Sequence, residues 1–280
     1  MAEETYAARH GSVQVNSDGG DGPPLLQLDN VSMIFGGLRA VDRLTLEVCT
    51  GKIHALIGPN GAGKTTVLNI ISGFYKPTEG LVRFNGQTIQ GFDSAKIAGM
   101  GMARTFQNVR LFKELTALEN VQIGMHRIIK EGLAETVFRT PAFRRAELRS
   151  AEKAKELLAE IGLQDKATVK ARNLSYGQQK LIEIARALAQ DPKQILLDEP
   201  AAGLNETETT DLVHLVRIVR DRGITILLIE HNMNFVMSLA DRITVLNFGR
   251  KIADGAPGEI VSNEEVIQAY LGRRPSLRST

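Results

Sequence analysis

Nine consecutive residues, Gly58, Pro59, Asn60, Gly61, Ala62, Gly63, Lys64, Thr65 and Thr66, have the composition needed to hold a polyphosphate. They fit the pattern G-x-x-x-x-G-K-[ST] with nothing missing. Glycines let the backbone turn tightly enough for successive N–H groups to converge on one point. A helix starting there adds its partial positive charge. Lys64 would reach the β- and γ-phosphates as a point charge, and the Thr65 hydroxyl would ligate Mg²⁺.

Three further groups could complete a hydrolytic site. Gln194 to Leu197 is an apolar run ending in Asp198 and Glu199. A carboxylate at the buried end of a strand needs a cation or hydrogen-bond donors. Asp198 would hold Mg²⁺ through water, and Glu199, facing the other way, could take a proton from an attacking water. A solvated strand cap is the plain alternative. His231 follows a second apolar run, Ile224 to Ile229, at the same edge of the expected sheet. Its imidazole could bind a γ-phosphate or sense its loss. Ser175, with Tyr176, Gly177 and Gln178 after it, opens a helix. The spacing is that of a capping box, and a serine and glycine before a helix also suit an anion.

Those residues need elements to place them. Ile53 to Ile57 reads as a buried strand, and Thr66 to Ile71 as the helix after the glycine loop. Strands are expected over Leu26–Val31, Val41–Cys49, Leu81–Phe84, Gly101–Gln107, Arg242–Leu246 and Lys251–Ala253, with helices from Glu206 to Arg222 and from Glu264 to Leu271. Phe35, between the first two strands, is either a core aromatic or an exposed platform for a flat base. Residues 108–165 are helix-forming, with apolar residues at Ala154, Leu157, Leu158 and Ile161. The charges from Arg144 to Lys155 alternate in sign, which favours a solvated helix face over a nucleic-acid patch.

Composition sets the bounds. At 280 residues the chain can bury about three quarters of its unfolded surface without staples. A net charge of +2 gives no global attraction to nucleic acid. Cys49 is the only cysteine, which excludes an internal disulfide and a cysteine-only metal cluster and suits a reducing cytosol. No apolar run reaches the length of a membrane span, and the N-terminus does not read as a signal peptide. Residues 1–24, rich in Gly, Ser, Asp and Pro, read as a disordered extension. No internal repeat is visible.

With the glycine loop, the Ser175 segment, the Asp198-Glu199 pair and His231 in this order, the chain resembles an ATP-binding-cassette ATPase over roughly residues 25–272. Three stretches resemble the branched-chain amino-acid importer group: Arg104-Thr105-Phe106-Gln107-Asn108-Val109-Arg110-Leu111-Phe112, Ala201-Ala202-Gly203-Leu204-Asn205 and Ala269-Tyr270-Leu271-Gly272. The helical insert after Gln107 is similar to that of the larger ATPase subunit. The resemblance implies an α/β fold, a mixed and mainly parallel sheet flanked by helices, with an antiparallel β subdomain and an inserted helical subdomain. Its divisions would be a core over 25–107 and 190–254, helices over 108–189, a C-terminal helix over 258–272 and a basic tail over 273–280.

By that resemblance Phe35 is the adenine platform, and Gln107 senses Mg²⁺ and the membrane subunit. Leu174, Ser175, Tyr176, Gly177 and Gln178 clamp the γ-phosphate of ATP bound to the opposite subunit, and Ala201 to Asn205 cross the dimer interface. Tyr176 stands where glycine is usual, and Asn205 and Asn232 where aspartate is commoner. The implied partners are integral membrane permease subunits, a second ATPase subunit and, indirectly, an extracytoplasmic solute-binding protein, on the cytoplasmic face of the inner membrane; nucleic acid is not expected. Urea-import and lipopolysaccharide-export ATPases are related alternatives. A soluble relative acting on DNA or ribosomes would carry a longer insert or two cassettes. A GTPase would carry an Asn-Lys-x-Asp motif, which is lacking.

Overall fold

Two twelve-residue strands, β1 (Pro24–Phe35) and β2 (Leu38–Cys49), pair antiparallel through the tight turn at Gly36 and Gly37. They open a computed structural model that describes residues 23–125 and 141–271. Of the extension expected over 1–24, residues 1–22 lie outside the described residues, as do part of the helical insert and the basic tail, while Pro24 already begins β1. Apolar and polar residues alternate along β2, so Leu44, Leu46 and Val48 point inward and their neighbours outward. β3 (Ile53–Ile57) then enters the interior with all five residues buried, and α1 (Lys64–Ile71) follows the glycine loop. This helix starts two residues before the expected Thr66. Gly63, at φ 104°, takes the left-handed cap position, and the chain is helical from there.

β4 (Glu79–Phe84) and β5 (Gln87–Thr88) complete a four-stranded antiparallel sheet of order β2-β1-β4-β5. Next come α2 (Ser94–Gly99), capped by Asp93, and β6 (Met102–Arg104). The strand expected from 101 to 107 ends at Arg104, beyond which the Thr105 N–H still donates to Leu196 O at 3.0 Å. α3 (Ala117–Ile123), α4 (Pro141–Glu160) and α5 (Tyr176–Leu188) form the helical part. In α4, Ala154, Leu157 and Leu158 are buried while Glu147, Arg149, Glu152 and Lys155 are exposed, the amphipathic face that the spacing implies.

β7 (Gln194–Asp198), α6 (Glu206–Asp221) and β8 (Thr225–Ile229) follow. α7 (Met233–Leu239) was not anticipated, although Asn232 as cap and inward-facing Phe235, Val236 and Leu239 mark it. The chain closes with β9 (Arg242–Asn247), β10 (Arg250–Gly255), α8 (Pro257–Val261) and α9 (Glu264–Leu271).

The second sheet has the order β10-β9-β3-β8-β7-β6, parallel except for β10. Its β3, β7 and β8 are buried at every position, as strands covered on both faces must be. The register pairs Leu56 with Ile229 and Ile229 with Asp198. The C-terminal ends of β3, β7 and β8 therefore stop at one edge, where open α/β sheets gather their ligands.

Candidate functional site

At that edge the glycine loop leaves β3. A Cβ on Gly58 would lie 2.2 Å from Leu246 O, and one on Gly63 would lie 2.5 Å from Ala40 O. Both contacts are with backbone, so nothing larger than glycine fits. The Lys64 amine is buried and donates to Gly58 O at 2.7 Å and Pro59 O at 3.0 Å. Desolvation lowers its pKa, against the opposing pull of Glu199 and Asp198. Asn60, Gly61, Ala62, Gly63, Lys64, Thr65 and Thr66 line one cleft of about 360 Å³ together with Glu199. The loop and the acid thus meet across 135 residues of sequence.

Glu199 reaches the cleft by leaving the strand. Its φ of 47° is left-handed, rare for a side chain of this type and costing roughly 1–3 kcal/mol. The turn is pinned by its N–H, which donates to Ile229 O at 2.9 Å. Gln107 Nε2 donates to Glu199 Oε2 at 2.8 Å, and His231 Nδ1 lies 3.8 Å from Glu199 Oε1. Gln107, Glu199 and His231 are therefore one constellation, drawn from three separate strand ends.

Two charged residues that the sequence did not single out organise it. Glu230 is fully buried, and its carboxylate accepts from the N–H groups of Ala201 at 2.8 Å, His231 at 3.0 Å and Asn232 at 3.3 Å. It fixes the start of the 201–205 loop and the position of His231 together. Arg104 donates to Asp198 Oδ2 at 3.1 Å, to Asn69 Oδ1 at 2.9 Å and to Ser72 Oγ at 2.8 Å. Its guanidinium also lies over the rings of Phe74 and Phe106. The only sequence signal for either was a charge at the end of an apolar strand.

Ser175 caps α5. Its Oγ accepts the Gln178 N–H at 3.2 Å, and Gln178 Oε1 accepts the Ser175 N–H at 3.1 Å. The capping box is present, and the serine is exposed at the helix N-terminus. Ser175, Gly177 and Gln178 line a cleft of about 510 Å³ that shares no lining residue with the one around Lys64. Within one chain the two anion-binding features stay apart. α5 is nevertheless tied to the Gln107 segment: Lys180 Nζ donates to Gln107 O at 2.8 Å, and Arg186 Nη1 to Arg110 O at 2.6 Å. Glu183, its pKa raised by burial, accepts the Arg110 N–H at 3.3 Å.

Phe35 is 41% exposed, with its ring edge-on to Tyr75 at 5.4 Å between centroids. It is held in place without being enclosed, which fits a stacking platform better than a core aromatic.

The profile of the ABC transporter family matches residues 41–202, and that of the branched-chain amino acid ATP-binding cassette transporter matches residues 250–275. The high-affinity branched-chain amino acid transport ATP-binding protein BraF of Pseudomonas aeruginosa is 49% identical over 250 residues, covering 89% of this chain and 98% of that protein. LivG of Escherichia coli, of the same description, is 48% identical with the same coverage. A nucleotide-free ATP-binding cassette from an ABC transporter superposes with a TM-score of 0.78 at 34% identity, covering 90% of this chain and all of that one. A dimeric cassette in a post-hydrolysis state bound to ADP and Pi gives 0.70 at 27% identity, over 83% of this chain and 98% of that one.

Proposed function

The chain belongs to the ABC transporter family, and we propose that it is the ATP-hydrolysing subunit of an importer for branched-chain amino acids. The reaction is carried by one observation: the phosphate loop, with Lys64, opens into the same cleft as Glu199. The substrate class rests on likeness to BraF and LivG over nearly their whole length, and on the C-terminal match at 250–275.

ATP phosphates entering the loop replace the carbonyls that Lys64 now contacts, and the amine turns to the β- and γ-phosphates. Phe35 stacks on the adenine. The donors available to a cation are all oxygens: the Thr65 hydroxyl, the Asp198 carboxylate and the Gln107 amide. That set fits Mg²⁺, which these residues would hold and which would neutralise charge developing on the γ-phosphate. Glu199 accepts the proton of the attacking water. Gln107 now donates to this carboxylate and His231 stands beside it, so both orient the base.

The site is incomplete in one chain. Ser175, Gly177 and Gln178 line a separate cleft, and the segment from Leu174 through Tyr176 to Gln178 closes on the ATP of a second ATPase subunit; the similarity to a dimeric cassette supports this arrangement. Closure moves α5, and the bonds from Lys180, Glu183 and Arg186 carry that movement to the segment from Gln107 to Arg110. Phe112 is 55% exposed just beyond it, and this exposed ring supports a contact with a membrane permease subunit there. Among the described residues no helix is long and apolar enough to cross a membrane. By likeness to the transport ATP-binding proteins BraF and LivG, this chain works at the cytoplasmic face of a permease that supplies the path. A solute-binding protein delivers the amino acid from the other side.

The test is leucine uptake by vesicles containing this chain and the membrane proteins that co-purify with it. ATP-dependent leucine accumulation that disappears in Lys64→Ala supports the reading. ATP-dependent transport of another solute, with leucine excluded, contradicts it.

A further inference from the structure

Glu208, half-buried on the first turn of α6, is not part of the constellation above, yet it touches both the Ser175 segment and Asn205 at the end of the 201–205 loop. Its Oε1 accepts from Ser175 Oγ at 3.2 Å. Its Oε2 accepts the Asn205 N–H at 3.2 Å, and its own N–H donates to Asn205 Oδ1 at 2.9 Å. The same carboxyl lies against Gly177, where an added Cβ would come within 2.4 Å of Glu208 Cδ. Tyr176 makes a second contact of this kind, its ring edge lying 3.3 Å from where a Cβ on Gly203 would be.

We propose that Glu208 is a positioning residue for ATP hydrolysis, its carboxylate joining Ser175 to the cap of the Ala201–Asn205 loop so that both meet the opposite subunit as one unit. This rests on the reading that Ser175 serves an ATP bound to another chain. A capping box alone accounts for the Asn205 bonds. It does not account for the reach across to Ser175, 33 residues away in sequence. Serine has one proton to donate and two lone pairs. With Glu208 as the neighbour, the Ser175 hydroxyl is held at a fixed azimuth until phosphate replaces the carboxylate as its acceptor. Without that neighbour the hydroxyl rotates freely and the two segments lose their common anchor. A misplacement of this size lowers turnover more than it lowers binding.

A glutamine can keep the bridge. Its Oε1 can accept the Asn205 N–H while its Nε2 donates to Ser175 Oγ, whereas alanine removes both bonds. The experiment measures Mg·ATP hydrolysis by the full-length chain and its Ser175→Ala, Glu208→Ala and Glu208→Gln variants. Binding of a non-hydrolysable ATP analogue is measured on the same samples. Ser175→Ala should slow turnover. Glu208→Ala should lower kcat about tenfold or more, with analogue affinity within about threefold of wild type. Glu208→Gln should return most of the lost rate, and Ser175→Ala/Glu208→Ala should be no slower than the slower single variant.

Several outcomes overturn the proposal. If Ser175→Ala leaves kcat unchanged, the reading of that serine fails and the role of Glu208 fails with it. If Ser175→Ala slows turnover but Glu208→Ala does not, only the Glu208 proposal fails. A faster Glu208→Ala would make the carboxylate a block on the serine. Glu208→Gln as slow as Glu208→Ala would make its charge the active feature. Loss of analogue binding would make the defect general.

Discussion

Arg104 Nη2 donates to Asp198 Oδ2 across 3.1 Å, between side chains that are 10% and 9% exposed. The same guanidinium holds Asn69 and Ser72, so the phosphate-loop helix and the acidic strand end are joined by one cation. Removing one partner of a buried pair leaves an uncompensated charge, typically at ~3–5 kcal/mol. Arg104→Ala should therefore lower the melting temperature markedly. Mg·ATP should recover part of the loss by supplying Asp198 with another cation. Thermal unfolding of wild type and variant, with and without Mg·ATP, tests this. An equal loss in both conditions would mean that Arg104 stabilises something other than Asp198.

Glu199→Gln keeps the side-chain shape and removes the proton acceptor. Hydrolysis should fall ~10²–10⁴-fold, as removal of a general base does. Nucleotide affinity should persist, because Lys64 and Asp198 are untouched. A variant turning over within about threefold of wild type would exclude Glu199 as the base.

Burial lowers the Lys64 pKa below the ordinary lysine value of 10.5. Phosphate favours the charged amine, so the free protein loses ATP affinity as pH rises toward that value, and does so before an exposed lysine would titrate. ATP binding in that range should take up a proton. The sign reverses for the stability of the free protein. The unfolded chain then holds more protons than the folded one, so stability from this group rises with pH in the same window. Titration calorimetry across alkaline pH checks the binding side. Lys64→Ala should bind about 10–150-fold more weakly and lose the contribution of this group to the pH slope. A slope unchanged in the variant would assign it elsewhere.

The core of the site was legible because its chemistry is written in consecutive residues. Gly58 to Thr66 needs only a strand before it and a helix after it, and β3 and α1 supply both. Asp198 and Glu199 stood out as acids closing an apolar run. Arg104 and Glu230 did not, because what makes them matter is burial against groups distant in sequence: Asp198 for one, Ala201 for the other. α2 and α7 escaped for a different reason. Each is a short helix set by one side-chain cap, Asp93 or Asn232, and too brief to show a period. The contact of Glu208 with Ser175 joins two helix caps, each of which reads in sequence as complete by itself.

The central claim is that one ATP is held by two chains, and hydrolysis by mixed variants tests it most directly. Lys64→Ala and Ser175→Arg chains should each be inactive alone. In a mixed dimer one composite site carries both lesions and the other carries neither. An equimolar mixture should therefore recover activity, approaching about a quarter of the wild-type rate if chains exchange freely and one sound site turns over by itself. If the mixture stays as inactive as its components while the chains are seen to exchange, Ser175 serves the ATP of its own chain and the split-site account is wrong.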